Sequence, residues 1–218
     1  LGMGGSAIGG DLVSSLAASE AKLPILICRD YDLPAFVDAE TLVIASSYSG
    51  MTEETLSSFK QALKTDAKKV VITTGGKLKP KAEERNIPVF SFDYQAQPRA
   101  ALPFSFLPIL CFLQRLGFIS DKSADVIQTV EVLQQLSQKV NEGVQLSHNP
   151  AKQLAQRLYS HLPVIYLDHK ISEVAHRWKT QLNENSKAWA FHEVFPELNH
   201  NAVVGYQSPA ELADKTDV

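Results

Sequence analysis

The stretch Leu42-Val43-Ile44-Ala45-Ser46-Ser47-Tyr48-Ser49-Gly50-Met51-Thr52 decides the fold. Its first four residues are apolar without alternation, the pattern of a parallel strand covered on both faces. Serines and a glycine follow at once, and helical spacing then runs over 52–63. A buried strand that ends in a Ser/Gly loop feeding a helix is the start of a strand–helix–strand unit. The same alternation continues to either side. Segments 23–28, 41–45, 69–73 and 88–91 read as strands, and 7–18, 52–63 and 78–86 as the helices between them. The pattern predicts a doubly wound α/β sheet.

After Pro98 and Pro103 the pattern changes. Segment 104–116 reads as an apolar helix closed by Gly117. Segment 123–140 has helical spacing in Val126, Val130, Leu133 and Leu136, with Ser123 as its cap. A helix over 150–158, a buried strand over 163–167 and a helix over 172–185 follow. That last strand–helix pair reads as the start of a second α/β unit. The domains expected are 1–119, and 120–218 opening with a helical connector. Leu1-Gly2-Met3-Gly4-Gly5-Ser6 reads as the end of a strand entering a loop, so most of that strand is expected ahead of Leu1. The second unit has too few strands before Val218 to complete a sheet, and further sequence is expected beyond it.

The 218 residues are 44% hydrophobic and 21% charged, which suits a packed core under a polar surface. Net charge is -3 and no block of basic residues occurs, which argues against nucleic acid as a partner. The apolar run 102–113 contains two prolines and is too short to span a bilayer. Cys28 and Cys111 both sit in apolar runs. They read as buried small hydrophobes in a reducing, cytoplasmic compartment, not as a disulfide or a metal site. No tight cluster of metal ligands stands out, and no metal is expected.

Two segments have anion-binding chemistry. Gly4-Gly5-Ser6-Ala7-Ile8-Gly9-Gly10 follows a strand end and opens a helix. Glycines let backbone approach an anion, and a helix start offers free N–H groups. Its spacing fits neither a Walker loop nor a dinucleotide fingerprint, and a plain strand-to-helix turn explains it equally well. In 46–52, Ser47, Ser49 and Thr52 put three hydroxyls beside the N–H groups of the next helix, a set that can hold a phosphate without lysine. A Ser/Thr helix cap with no ligand is the alternative.

Ser47-Tyr48-Ser49-Gly50-Met51-Thr52 resembles the S-x-S-G-x-T phosphate segment of the sugar isomerase (SIS) domain family. Met51 stands where a polar residue such as Asn is usual, at a variable place. Two further motifs, Asn183-Glu184-Asn185-Ser186-Lys187 and Pro196-Glu197-Leu198-Asn199-His200-Asn201, resemble those of the bifunctional phosphoglucose/phosphomannose isomerases. Gly2 to Gly5 and Gln97-Pro98-Arg99 fit the same family.

The resemblance implies two SIS-like α/β units, the second incomplete, and an aldose–ketose isomerase of 6-phosphosugars working without a cofactor. It implies that Gly5, Ser6, Ser47, Ser49 and Thr52 hold the phosphate. Glu184 would move a proton between carbon 1 and carbon 2. His200 would help open the sugar ring, and Arg99 would steady the enediolate. Lys187 reads as an ion-pair partner of Glu184. The family carries another catalytic lysine near its C-terminus, and no matching motif occurs before Val218. In the family the counterpart of His200 reaches into the neighbouring subunit's site, which implies a homodimer with composite sites. An isomerase of another phosphosugar, such as an amino sugar, and a sugar-phosphate sensor without catalysis stay open beside this reading.

Overall fold

The computed structural model describes residues 1–206 and 208–218. The chain divides into two compact units, Leu1–Ser120 and Asp121–Val218.

In the first unit, strands β1 (Leu42–Ser46), β2 (Lys68–Thr73) and β3 (Val89–Ser91) form a parallel sheet in the order β1-β2-β3. The register pairs Leu42 with Lys68 and Val71 with Val89. Helices α1 (Gly4–Ala17), α2 (Glu53–Ala62), α3 (Leu78–Glu83) and α4 (Leu102–Arg115) accompany it. Ala45 and Val71 of the sheet pack with Phe59 of α2 and with Leu78 and Ala82 of α3, all five fully buried. Burying a side chain the size of Phe59 contributes about 1.5–3 kcal/mol.

Segment 23–28 is extended coil, not a strand, among the described residues. It meets the sheet where Gly2 N donates to the Cys28 carbonyl at 3.1 Å. Its apolar run has the composition of a strand. Strand pairing depends on the neighbour as well, and here one ladder bond ties the two together. Leu1 pairs on its other side with β1, through Ser46 N donating to Leu1 O at 2.9 Å.

Helix α1 begins at Gly4, three residues earlier than its apolar spacing predicts, so Gly5 and Ser6 lie in its first turn. It packs against α4 at Gly9, where an added Cβ would sit 2.5 Å from Ser105 Oγ and 2.6 Å from the Ser105 carbonyl carbon. Only glycine permits that approach. Ser105 Oγ also donates to Gly5 O at 3.0 Å. Cys111 is exposed on α4, contrary to the expectation from its apolar neighbours. The buried side of that helix is formed by Ser105, Pro108, Ile109, Leu110 and Leu113.

The second unit starts with α5 (Ser123–Val140). Ser123 does not cap it: the Asp121 carboxylate accepts from Ser123 N at 2.9 Å and from Ser123 Oγ. Asp is as good a cap residue as Ser, and it precedes the helix, so it reaches the first N–H groups. Helix α5 has no buried residue, and Ile127, Val130, Leu133 and Leu136 are exposed. Helix α6 (Pro150–Leu158) is capped by the fully buried Asn149, whose side chain accepts from Lys152 N at 3.1 Å. Strands β4 (Leu162–Asp168), β5 (Phe191–Phe195) and β6 (Thr216–Asp217) form a parallel sheet in the order β5-β4-β6. Helix α7 (Ser172–Gln181) lies between β4 and β5 in sequence and packs on both. Helix α8 (Ala210–Ala213) precedes β6.

The helix expected over 172–185 is not uniform. It is α-helical to Gln181 and widens into a π-helical turn over Leu182–Ser186, which contains Glu184. Such turns insert one residue without a glycine or proline to announce it, and they recur at functional sites. No helix among the described residues is long and apolar enough to cross a membrane.

Candidate functional site

The first unit gathers four of the five expected phosphate ligands around one backbone segment. Strand β1 ends at Ser46, and the chain turns through Gly50 (φ +63°) into α2. Ser47 is 2% exposed; its Oγ accepts from Gly50 N at 3.1 Å and shares a hydrogen bond with Thr52 Oγ1 at 3.0 Å. Thr52 is therefore the residue before α2 without capping it by its side chain. Ser49 Oγ accepts from Met51 N at 3.2 Å. Ser6 joins from α1, its Oγ accepting from Tyr48 N at 3.1 Å. Gly5 lies one residue before Ser6, in the first turn of α1.

Ser6 and Ser49, held as acceptors by backbone N–H groups, keep their own protons available for an anion, whereas the hydrogen bond between Ser47 and Thr52 takes up one of that pair's two protons. The first N–H groups of α2 have no carbonyl of their own helix to bond. Thr55, 1% exposed in that same turn, has an Oγ1 with no partner among the described residues. Glu53 and Glu54 also sit in the first turn and offset part of the helix dipole. Hydroxyls and amides, not net charge, are what this loop offers a phosphate.

Arg99 is in the same unit, half-buried in a single 3-10 turn over Pro98–Ala100. The segment before it is tied back to the serine loop by Tyr48, whose Oη donates to Ala96 O at 2.9 Å and accepts from Ala96 N at 3.1 Å. Sequence reading passed over Tyr48 because it is the variable residue between two serines.

Glu184 and His200 belong to the second unit. Glu184 is exposed on the π-helical turn. Lys187 donates from Nζ to the Glu184 backbone carbonyl at 2.6 Å, in place of the carboxylate pair expected. Lys187 takes a left-handed conformation (φ +56°) where the helical turn ends, which directs it to the last open carbonyls. The charge that the structure brings to the Glu184 carboxylate is Arg177, one residue type and spacing the sequence reading missed. Burial pulls the Arg177 guanidinium below its usual value, and the Glu184 carboxylate works against that shift. With its amide oxygen toward Arg177, Gln181 accepts from Arg177 Nε at 2.9 Å and Nη1 at 3.2 Å, and its other end meets Asn185. A helical wheel drawn with α spacing misplaces these contacts after Gln181, because the π turn rotates everything beyond it.

His200 is exposed at the end of the 3-10 turn Glu197–Asn199. Its backbone N donates to Glu197 O at 2.9 Å, and Asn201 Nδ2 donates to Glu197 Oε1 at 2.9 Å. Leu198, 2% exposed, anchors the turn. Tyr166 of β4 brackets this segment. Its ring meets Phe195 edge-on at 6.3 Å and stacks on Tyr206 at 6.2 Å. His176 and His192 stack at 5.3 Å, and burial followed by the charge of Lys179 lowers the His192 pKa.

Burial, then the hydrogen bond with Tyr206, raises the Tyr166 pKa from 10.0 to about 12. A raised acid pKa in the folded chain means the neutral form is the one the fold stabilises. That contribution is complete below pH about 10 and is lost between pH about 10 and about 12. An alkaline titration followed at the phenolate absorbance should therefore show Tyr166 ionising last. Tyr166→Phe should remove that last component and leave the earlier ones; a late component that survives the substitution assigns the shift elsewhere.

Fold and loop chemistry together define the class: an α/β protein with parallel sheets, similar in structure to SIS-domain phosphosugar isomerases. Residues 147–218 match the family described as bacterial phospho-glucose isomerase C-terminal SIS domain. The fold is similar to that of tagatose-6-phosphate ketose/aldose isomerase from Escherichia coli, with a TM-score of 0.70 at 16% identity over 99% of this chain and 59% of the other. By sequence, the chain is similar to the bifunctional phosphoglucose/phosphomannose isomerases. It is 47% identical to the protein of that name from Caldicellulosiruptor bescii, over 97% of this chain and 62% of the relative. It is 38% identical to the one from Aquifex aeolicus, over 98% and 63%. A D-glucosamine-6-phosphate 4-epimerase from Sulfolobus acidocaldarius is 30% identical over 95% and 63%. The chain thus spans a little under two thirds of the length of these relatives.

Proposed function

We propose that the protein containing this chain interconverts glucose 6-phosphate, and mannose 6-phosphate, with fructose 6-phosphate through a cis-enediol. The observation that carries the reading is 47% identity to a bifunctional phosphoglucose/phosphomannose isomerase across nearly the whole chain. The phosphate is held by Gly5, Ser6, Ser47, Ser49, Thr52 and the α2 N-terminus. As the bond between carbon 1 and the ring oxygen breaks, His200 passes a proton to the ring oxygen and accepts the proton of the carbon 1 hydroxyl. Glu184 removes the carbon 2 proton from the open aldose, the electron pair forms the carbon 1–carbon 2 double bond, and the carbonyl oxygen gains negative charge. Arg99 offsets that charge. The proton of the carbon 2 hydroxyl passes to the carbon 1 oxygen, and Glu184 returns the proton it took to carbon 1, giving the ketose with no net oxidation. Carboxylate and guanidinium supply what this chemistry needs, so no cofactor has a step to perform. Composite sites in a cytoplasmic homodimer complete the proposal.

Proton NMR of fructose 6-phosphate in deuterated water with the full-length protein tests it. Deuterium at carbon 2 of new glucose 6-phosphate and mannose 6-phosphate is the expected result. Glucose 6-phosphate alone removes the mannose activity. The epimerase among the relatives supports a second reading, action on an amino-sugar 6-phosphate. Turnover of glucosamine 6-phosphate without exchange on fructose 6-phosphate would select that one. Binding with no exchange on any 6-phosphosugar leaves a sensor.

A further inference from the structure

We propose that Tyr48 is a positioning residue that fixes Arg99 relative to the phosphate loop. The proposal rests on the isomerase reading above, in which the loop holds one end of the sugar and Arg99 meets the charge at the other.

Tyr48 bonds in three directions. Its N–H donates to Ser6 Oγ at 3.1 Å, tying the loop to α1. Its carbonyl accepts from Thr74 N at 3.1 Å and from Thr74 Oγ1 at 2.7 Å, tying it to the end of β2. Its backbone is thus held on both sides by groups that also shape the anion site. The side chain leaves in a third direction, and the Oη lies between the carbonyls of Tyr94 and Ala96. A phenol has one proton, shared between those two oxygens, and it accepts in return from Ala96 N at 3.1 Å. One hydroxyl therefore closes both backbone groups of Ala96.

From Ala96 the path to Arg99 is short and stiff. Pro98 fixes its own φ, and the turn is closed by Ala100 N donating to Gln97 O at 2.9 Å and Ala101 N to Pro98 O at 3.0 Å. The approach to Ala96 is braced by packed rings: Phe92 stacks on Phe104 at 4.5 Å, and tilted contacts set Tyr94 4.7 Å from Phe104 and Tyr48 6.2 Å from Phe92. The Tyr48 Oη hydrogen-bonds the serine loop to the Tyr94–Ala96 backbone, and so bears on the distance from phosphate to guanidinium. Misplacement of a charge-stabilising group by about 1 Å costs on the order of 100-fold in rate.

The test is Tyr48→Phe in the full-length protein. The ring and its stacking stay; the three hydroxyl contacts go. The expected result is a kcat lowered about 10- to 100-fold, with KM and the affinity for inorganic phosphate within about twofold of wild type and melting unchanged. An unchanged kcat overturns the proposal. So does a loss confined to KM and phosphate affinity, or one tracking a lowered melting temperature, since either assigns Tyr48 to the loop's own stability. If wild type isomerises no 6-phosphosugar, the isomerase reading fails by itself, and amide exchange decides the positioning claim. Inorganic phosphate should then slow exchange at Ala96 and over 97–101 in wild type and not in Tyr48→Phe; equal slowing in both overturns it.

Discussion

Replacing Glu184 by Gln in the full-length protein should lower kcat by about 10²- to 10⁴-fold, the range that a positioned proton carrier supplies. Sugar-phosphate affinity should stay. The substitution keeps size and hydrogen-bonding shape and removes only the ability to take a proton. Glu184 is exposed on a π-helical turn, so no core contact is lost and the melting temperature should not move. Arg177 is the neighbour that feels the change, since the carboxylate that counters its burial becomes neutral. Steady-state kinetics and phosphate-resonance titration with fructose 6-phosphate read the two effects separately. One carboxylate serving both carbons predicts a further result: proton exchange at carbon 1 and at carbon 2 should fall together. Exchange that persists at one carbon would give that step to another base, and full turnover would remove Glu184 from the chemistry.

What the sequence made legible follows from how local each signal is. The runs 42–45, 69–73 and 163–167 are apolar without alternation, a pattern that parallel burial imposes on the strand itself, and they are strands β1, β2 and β4. The Ser/Gly loop before α2 was legible because hydroxyls and a positive-φ glycine are properties of single residues. Segment 23–28 has the same apolar composition, yet a strand also needs a ladder partner, and composition carries no information about that. Cys111 failed for the same reason: an apolar run names a helix, and which side of α4 is buried depends on α1. The π turn at Leu182–Ser186 adds one residue to a helix without altering its composition, so Lys187 and Arg177 exchange the parts that α spacing assigns them. Tyr48 and Tyr166 act through contacts with residues 29 to 48 positions away, beyond any local pattern.

The geometry of the Ser47–Thr52 loop should be lost by a single methyl group. In Gly50→Ala the new Cβ would lie 1.9 Å from Gly75 O, 2.7 Å from Gly75 C and 2.9 Å from Thr73 Oγ1. Two of those atoms are backbone, and the backbone is pinned: Thr74 N donates to Tyr48 O at 3.1 Å, and Leu78 N donates to Gly50 O at 3.0 Å. The methyl cannot be accommodated by a rotamer change. The left-handed backbone at Gly50 adds roughly 1–2 kcal/mol for any residue with a Cβ, and overpacking adds about 1–3 kcal/mol. Urea denaturation should register that loss, and phosphate affinity should fall with it, because the strain is relieved by moving the hydroxyls of Ser47 and Ser49. Gly117 separates the two causes. It is also left-handed (φ +76°), but a Cβ there meets nothing within 4 Å. Gly117→Ala should therefore show the backbone cost alone and leave phosphate binding intact. If the two substitutions destabilise equally, the interlock of the Ser47–Thr52 loop with Thr73–Gly76 is not what holds the hydroxyls in place, and the anion site must owe its shape to the α2 N-terminus instead.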